Sequence, residues 1–201
     1  MSPLKTYLAL GDSYTIGEKV LLKDSFPYQL VQLLRKNSLQ FTAPEIIAKT
    51  GWTTDELLSG IEKMELLPAY DLVTLLIGVN NQYRGRATEN YSQEFTILLK
   101  MAIQFATQKP KQVIVLSIPD WGVTPFAANR NRQEIAEKID AFNAINKTIA
   151  LDYGVNYVDI TTGTREAATR KDLVAEDGLH PSSVDYARWA EKIVTRISPL
   201  R

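Results

Sequence analysis

The sequence predicts a three-layer α/β/α sandwich on a parallel sheet, and three observations lead there. Five short runs along the 201 residues are nearly continuous in apolar side chains, as strands covered on both faces must be. Segments with a helical repeat separate them, the alternation expected of strand-helix-strand crossovers. Directly after the runs stand glycines and polar residues, where an open α/β sheet gathers its functional groups.

Taken in chain order, the first strand is Lys5–Leu10, broken by Gly11-Asp12-Ser13, and a helix is predicted near Ser25–Lys36. The second strand, Glu45–Ala48, runs into Lys49-Thr50-Gly51-Trp52, and a helix follows near Thr54–Met64. The third, Leu72–Ile77, gives way to Gly78-Val79-Asn80-Asn81. The helix predicted near Asn90–Thr107 has the clearest period, in Phe95, Leu98, Leu99, Ala102, Phe105 and Ala106, one apolar stripe at 3.6 residues per turn. The fourth strand, Gln112–Ile118, leads to Pro119-Asp120-Trp121-Gly122 and to a helix near Arg130–Tyr153. The fifth, Asn156–Ile160, precedes an irregular stretch, Thr161–Glu176, of the length that functional loops have. A last helix is predicted near Ser183–Ile197.

This length fits one domain, residues 1–201, with a core that needs no staples. Lys plus Arg equals Asp plus Glu at 23 each, so a nucleic-acid partner is not expected. The chain has no cysteine, which excludes thiol nucleophiles, disulfides and thiolate metal sites. A single histidine without clustered carboxylates makes a metal site poor. The first strand is followed by neither glycine-rich phosphate-binding pattern, so a nucleotide binder is disfavoured and no cofactor is expected. The apolar run near the N-terminus, Thr6–Leu10, is too short for a signal-peptide core. No stretch approaches the ~20 apolar residues of a membrane span. The default expectation is a cytoplasmic protein.

His180, the one imidazole, sits in Asp177-Gly178-Leu179-His180-Pro181. A serine is a poor nucleophile until a base takes its proton. Imidazole can be that base, and a carboxylate can fix its tautomer. Ser13 stands at the end of the first strand, and one tight turn at Gly178 brings Asp177 to His180. A tetrahedral intermediate also needs donors for its oxyanion: Gly51 offers a backbone N–H and Asn80 a side-chain amide. Each signal alone is weak. Together, on successive strand ends, they are specific.

In these blocks the chain resembles the SGNH hydrolases, also called the GDSL esterase/lipase family: Leu10-Gly11-Asp12-Ser13-Tyr14-Thr15, Thr50-Gly51-Trp52-Thr53-Thr54, Gly78-Val79-Asn80-Asn81 and Asp177-Gly178-Leu179-His180-Pro181. The resemblance implies a flavodoxin-like five-stranded sheet in the order 2-1-3-4-5 and a metal-free serine mechanism on ester substrates. It implies Ser13, Asp177 and His180 as the triad, and Ser13 N–H, Gly51 and Asn80 as the oxyanion hole. One departure is visible: the family usually has Asp where this chain has Asn81, so whatever positions the Asn80 loop must work without that charge. The motif order differs from the mid-chain Gly-x-Ser-x-Gly elbow of α/β-hydrolases, which points to convergent chemistry on another α/β fold.

Trp52, Tyr83, Trp121 and Phe126 fall in or near rim loops, where they either wall an acyl or sugar pocket or pack beneath the loops. Arg84 and Arg86 either meet an anionic group or are solvated. The substrate expected is a small-molecule, lipid or sugar ester, with a short-chain or acetyl ester favoured. The alternatives are a lysophospholipase/thioesterase-like acyl hydrolase and a catalytically silent ligand-binding module on the same fold.

Overall fold

Five parallel strands, β1 (Tyr7–Asp12), β2 (Glu45–Lys49), β3 (Leu72–Leu76), β4 (Val113–Leu116) and β5 (Asn156–Val158), form one sheet in the order β2-β1-β3-β4-β5. The computed structural model describes residues 4–197. Residues 1–3 and 198–201, included in the one-domain expectation, lie outside the described residues. Central β1 is flanked by β2 and β3, with Leu10 opposite Ile47 on one side and Leu75 on the other. Strands β1, β3 and β4 are buried at every position, while edge strands β2 and β5 are partly exposed. That explains why the central runs read as continuous apolar stretches rather than alternating ones.

The described helices are α1 (Ser13–Ile16), α2 (Phe26–Lys36), α3 (Thr54–Glu62), α4 (Val79–Tyr83), α5 (Thr88–Phe105), α6 (Arg132–Asp152), α7 (Thr161–Thr164) and α8 (Ser183–Val194). Helices α2 and α8 pack together, with the Phe26 ring 6.4 Å from Tyr186 and 6.0 Å from Trp189. Helix α5 packs against both α3 and α6, with Tyr91 4.7 Å from Phe142. The two groups sandwich the sheet and bury its apolar faces, the dominant favourable term in folding. None of the helices is long and apolar enough to cross a membrane among the described residues.

Local chemistry sets the element ends. Thr53 and Glu56 form a reciprocal capping box that starts α3. Asn131 caps α6 by accepting the Glu134 N–H. Most element ends shift by one to three residues from the sequence expectation, and three differences bear on the site or its surroundings. Gly11 and Asp12 stay in the ladder opposite Ala48 and Lys49, so β1 runs on to the residue before Ser13. The fourth strand is shorter than expected at both ends: 110–112 form a 3₁₀ turn before it, and it stops at Leu116, two residues before Ile118. The stretch expected to be irregular, Thr161–Glu176, instead contains α7 and two 3₁₀ turns, 165–168 and 171–173. Strand order reverses on either side of β1, so a crevice opens at the carboxyl ends of β1 and β3. Ser13 and Asn80 follow those two ends.

Candidate active site

The sharp turn from β1 into α1 is made by Asp12, whose Oδ1 accepts the Tyr14 N–H at 3.0 Å. This cap leaves Ser13 at the first helical position, nearly buried. Ser13 opens on a cavity of about 160 Å³, bounded by Asn80 and His180 on the polar side. Tyr83, Trp121 and Phe126 form its aromatic wall.

His180 reaches that cavity from the loop before α8. Gly178 has φ +69°, a left-handed conformation that turns the chain tightly. Asp177 Oδ1 then accepts the backbone N–H of Leu179 and of His180, each at 3.0 Å. The other oxygen, Oδ2, lies 2.6 Å from His180 Nδ1. Burial opposes ionisation of Asp177, but the hydrogen bonds from the His180 ring and the two amides outweigh it and hold the carboxyl below its usual range. The loop is pinned from both sides: Ala175 N–H donates to His180 O at 2.7 Å and Phe126 N–H to Gly178 O at 2.9 Å. His180 and Ser13 share the cavity, with no hydrogen bond between them among the described residues.

Of the residues predicted as oxyanion donors, Ser13 and Asn80 line this cavity and Gly51 does not. Gly51 has φ +82°, its carbonyl accepts from Arg84 Nη2 at 2.6 Å, and its N–H bonds to no other described residue. Asn80 Nδ2 donates to Trp52 O at 3.0 Å and approaches Asp12 Oδ2 at 3.4 Å. The amide therefore sits between the Asp12–Ser13 turn and the Gly51–Trp52 loop. Asp12 is almost fully buried with few partners, and this burial pushes its carboxyl up to about 7. Two N–H groups near it, of Tyr14 and of Asp12 itself, only partly offset that effect.

Several predicted residues go elsewhere. Trp52 does not line the cavity; its indole lies on Gly60 of α3, where a Cβ would come within 2.3 Å of the ring. Arg84 pairs with Glu56 at 3.4 Å and Arg86 with Asp55 at 2.5 Å, so carboxylates of α3 compensate both. Asn81 is buried against Thr54, away from the cavity. Trp121 lines the cavity while nearly buried, its Nε1 donating to Gln82 Oε1 at 2.7 Å. Tyr83 and Phe126 are 48% and 46% exposed, enough to meet a ligand. Tyr14, Val79 and Leu179 also line the cavity; all three lie inside the motif blocks, but nothing in the sequence marked them as lining residues. A more polar cavity of about 340 Å³ lies beyond Tyr83 and Trp121, lined by Asn129, Arg130, Asn131 and Lys138. No group of three or more His, Asp or Glu able to hold a metal occurs among the described residues.

Comparison with known proteins adds a family. The model of the GDSL-like Lipase/Acylhydrolase family matches residues 9–188. Among solved structures, TesA superposes with a TM-score of 0.76 at 18% identity, over 98% of this chain and 100% of that one. Axe2, an acetylxylan esterase from Geobacillus stearothermophilus, gives 0.76 at 18% identity over 96% of this chain and 94% of its own. A lipase/acylhydrolase from Enterococcus faecalis gives 0.75 at 18% identity over 96% and 95%. At such identities the likeness is one of fold. No curated protein matches the chain significantly.

Proposed function

This chain belongs to the GDSL-like Lipase/Acylhydrolase family, and from that premise we propose that it is a serine esterase acting as one catalytic domain. In this reading His180 Nε2 takes the Ser13 proton as Oγ attacks an ester carbonyl. The carbonyl oxygen becomes an oxyanion held by Ser13 N–H, Gly51 N–H and Asn80 Nδ2. His180 then protonates the departing alcohol, leaving an acyl-serine. Water, deprotonated by His180, attacks that acyl group; the acid leaves and Ser13 regains its proton.

The observation that carries the reading is the 2.6 Å contact of His180 Nδ1 with Asp177 Oδ2. It occupies one ring nitrogen and leaves Nε2 for chemistry in the cavity that Ser13 shares. Cavity size supports a short acyl group: about 160 Å³ compares with the ~150 Å³ that accommodates one benzene. The neighbouring polar cavity supports a polar alcohol, and the structural likeness to an acetylxylan esterase points the same way. A short-chain or acetyl ester is therefore favoured over the long acyl chain of a lysophospholipase-type substrate.

Hydrolysis of p-nitrophenyl acetate, butyrate and octanoate by wild type and Ser13→Ala tests this. Turnover that depends on Ser13 and falls with chain length is expected. Equal rates in the two proteins would remove Ser13 as nucleophile. If no ester is turned over, labelling by a fluorophosphonate separates a narrow enzyme, which labels, from a silent binding module, which does not.

A further inference from the structure

The side-chain amide of Asn81 has its direction fixed from outside. Thr54 N–H can only donate, and it meets Asn81 Oδ1 at 3.1 Å. Asn81 Nδ2 is then the atom 2.6 Å from Thr54 Oγ1, and it donates to that oxygen. A hydroxyl has one proton to give. With Asn81 donating to it, the Thr54 hydroxyl donates its own hydrogen bond to Glu94 Oε2, and a carboxylate only accepts. The series Asn81 to Thr54 to Glu94 thus has a single polarity. Asn81 and Thr54 are fully buried, so neither has water to turn to instead, while Glu94 is partly exposed.

This series joins three elements. It starts on α4 beside Asn80, crosses the first turn of α3 and ends on α5. Helix α4 has only five residues, too few to hold its own place by backbone bonds. Its position depends on side-chain anchors: Val79 packs into the core, and the two buried polar anchors are Asn81 and Gln82, the latter accepting from Trp121.

We propose that Asn81, Thr54 and Glu94 are positioning residues that hold the Asn80 amide at the oxyanion site. The proposal rests on Asn80 being an oxyanion donor. It also explains the departure at position 81. With Glu94 accepting from the Thr54 hydroxyl, an aspartate at 81 would put a second carboxylate against the same hydroxyl, and two acceptors would compete for one proton. Asparagine at 81 and glutamate at 94 therefore form a matched pair.

The test reads kcat and KM on p-nitrophenyl acetate, with melting temperature, for wild type, Asn80→Ala, Asn81→Asp, Glu94→Gln and the double variant Asn81→Asp/Glu94→Gln. Asn81→Asp is expected to lower kcat by about tenfold or more, short of the ~10²–10³ for losing an oxyanion donor outright, with KM within about twofold. The double variant reverses the polarity: the amide introduced on α5 donates to the Thr54 hydroxyl, which donates to the carboxylate introduced on α4. Its kcat should return to within about threefold of wild type. Thr54→Val keeps the volume and the N–H but removes the hydroxyl, and should lose kcat as Asn81→Asp does; Thr54→Ser should keep it. Wild-type kcat in Asn81→Asp or in Thr54→Val overturns the proposal, as does a double variant no better than Asn81→Asp at wild-type melting temperature. An active Asn80→Ala overturns instead the donor role on which the proposal rests. Should the acetate be a poor substrate, the rate of fluorophosphonate labelling replaces kcat, and a wild type that neither turns over nor labels overturns the esterase reading and this one together.

Discussion

Asp177 holds His180 by two routes at once: Oδ2 meets the ring Nδ1 at 2.6 Å, while Oδ1 accepts the His180 backbone N–H at 3.0 Å. One carboxylate thus fixes both the loop and the ring. With Asp177 accepting, Nδ1 carries the proton, and in the proposed mechanism Nε2 is the nitrogen that accepts from Ser13. Asp177→Asn keeps the shape but can present an N–H to Nδ1 and favour the wrong tautomer. We expect a fall in kcat of about 10³–10⁴, with little change in KM. Steady-state kinetics decides it, and a variant within threefold of wild type would remove the orienting role.

Asp12 makes stability depend on pH in a defined direction. Its carboxyl is pushed up to about 7 by burial, against ~3.9 in an unfolded chain. Between those values the native state binds more protons than the unfolded one, so the contribution is fully present below about pH 4 and is lost as pH rises through about 7. Asp185, also raised by burial, to about 6, adds to the same trend. Asp12→Asn can still accept the Tyr14 N–H, so the cap survives while the titration goes. Urea unfolding at pH 4 and pH 8 should show wild type losing on the order of 4 kcal/mol more than the variant. Parallel pH curves for the two proteins would sink the assignment.

The aromatic wall should set acyl length. Phe126 is half exposed and lines the cavity, so Phe126→Ala enlarges the cavity with modest loss of packing. The ratio of kcat/KM for octanoate over acetate should rise by about tenfold, the scale of one or two methylenes in an apolar pocket. Trp52→Ala is the contrast. Its ring covers Gly60 outside the cavity, so the ratio should stay put while the melting temperature drops. A Trp52→Ala variant with altered chain-length preference would place that ring in the substrate path.

These cases show what a sequence can carry. The strands were legible because burial on both faces leaves continuous apolar runs, and strand ends then pointed to Ser13, Gly51, Asn80 and the Asp177–His180 turn. Helix α4 was not legible: five residues after a glycine have no periodicity to read. Nor was the fate of Trp52, since an indole beside a motif looks alike whether it faces a cavity or the glycine of a neighbouring helix. The partners of Asn81 lie 27 residues away at Thr54 and, through it, on α5 at Glu94. Nothing local marks them, because the pairing exists only once α3, α4 and α5 have packed.

Gly78 shows the same dependence from the side of backbone geometry. It precedes α4 with φ +131°, and a Cβ there would lie 2.6 Å from Tyr91 Cε2. Tyr91 cannot give way easily: its hydroxyl donates to Ile77 O and accepts from Asn146, both at 3.1 Å, and its ring is packed against Phe142. Gly78→Ala therefore meets two penalties, ~1–3 kcal/mol for the backbone conformation and ~1–3 kcal/mol for overpacking. We expect a loss of at least about 2 kcal/mol by urea unfolding. Asn80 is two residues on, so kcat should fall as well, even at temperatures where the variant is fully folded. Tyr91→Leu removes the clash but not the strained φ, and itself loses both hydrogen bonds, so Gly78→Ala should cost less in the Tyr91→Leu background than in wild type. Wild-type stability in Gly78→Ala would mean that Tyr91 does not confine this turn, and that the Asn80 amide is held by its side-chain anchors alone.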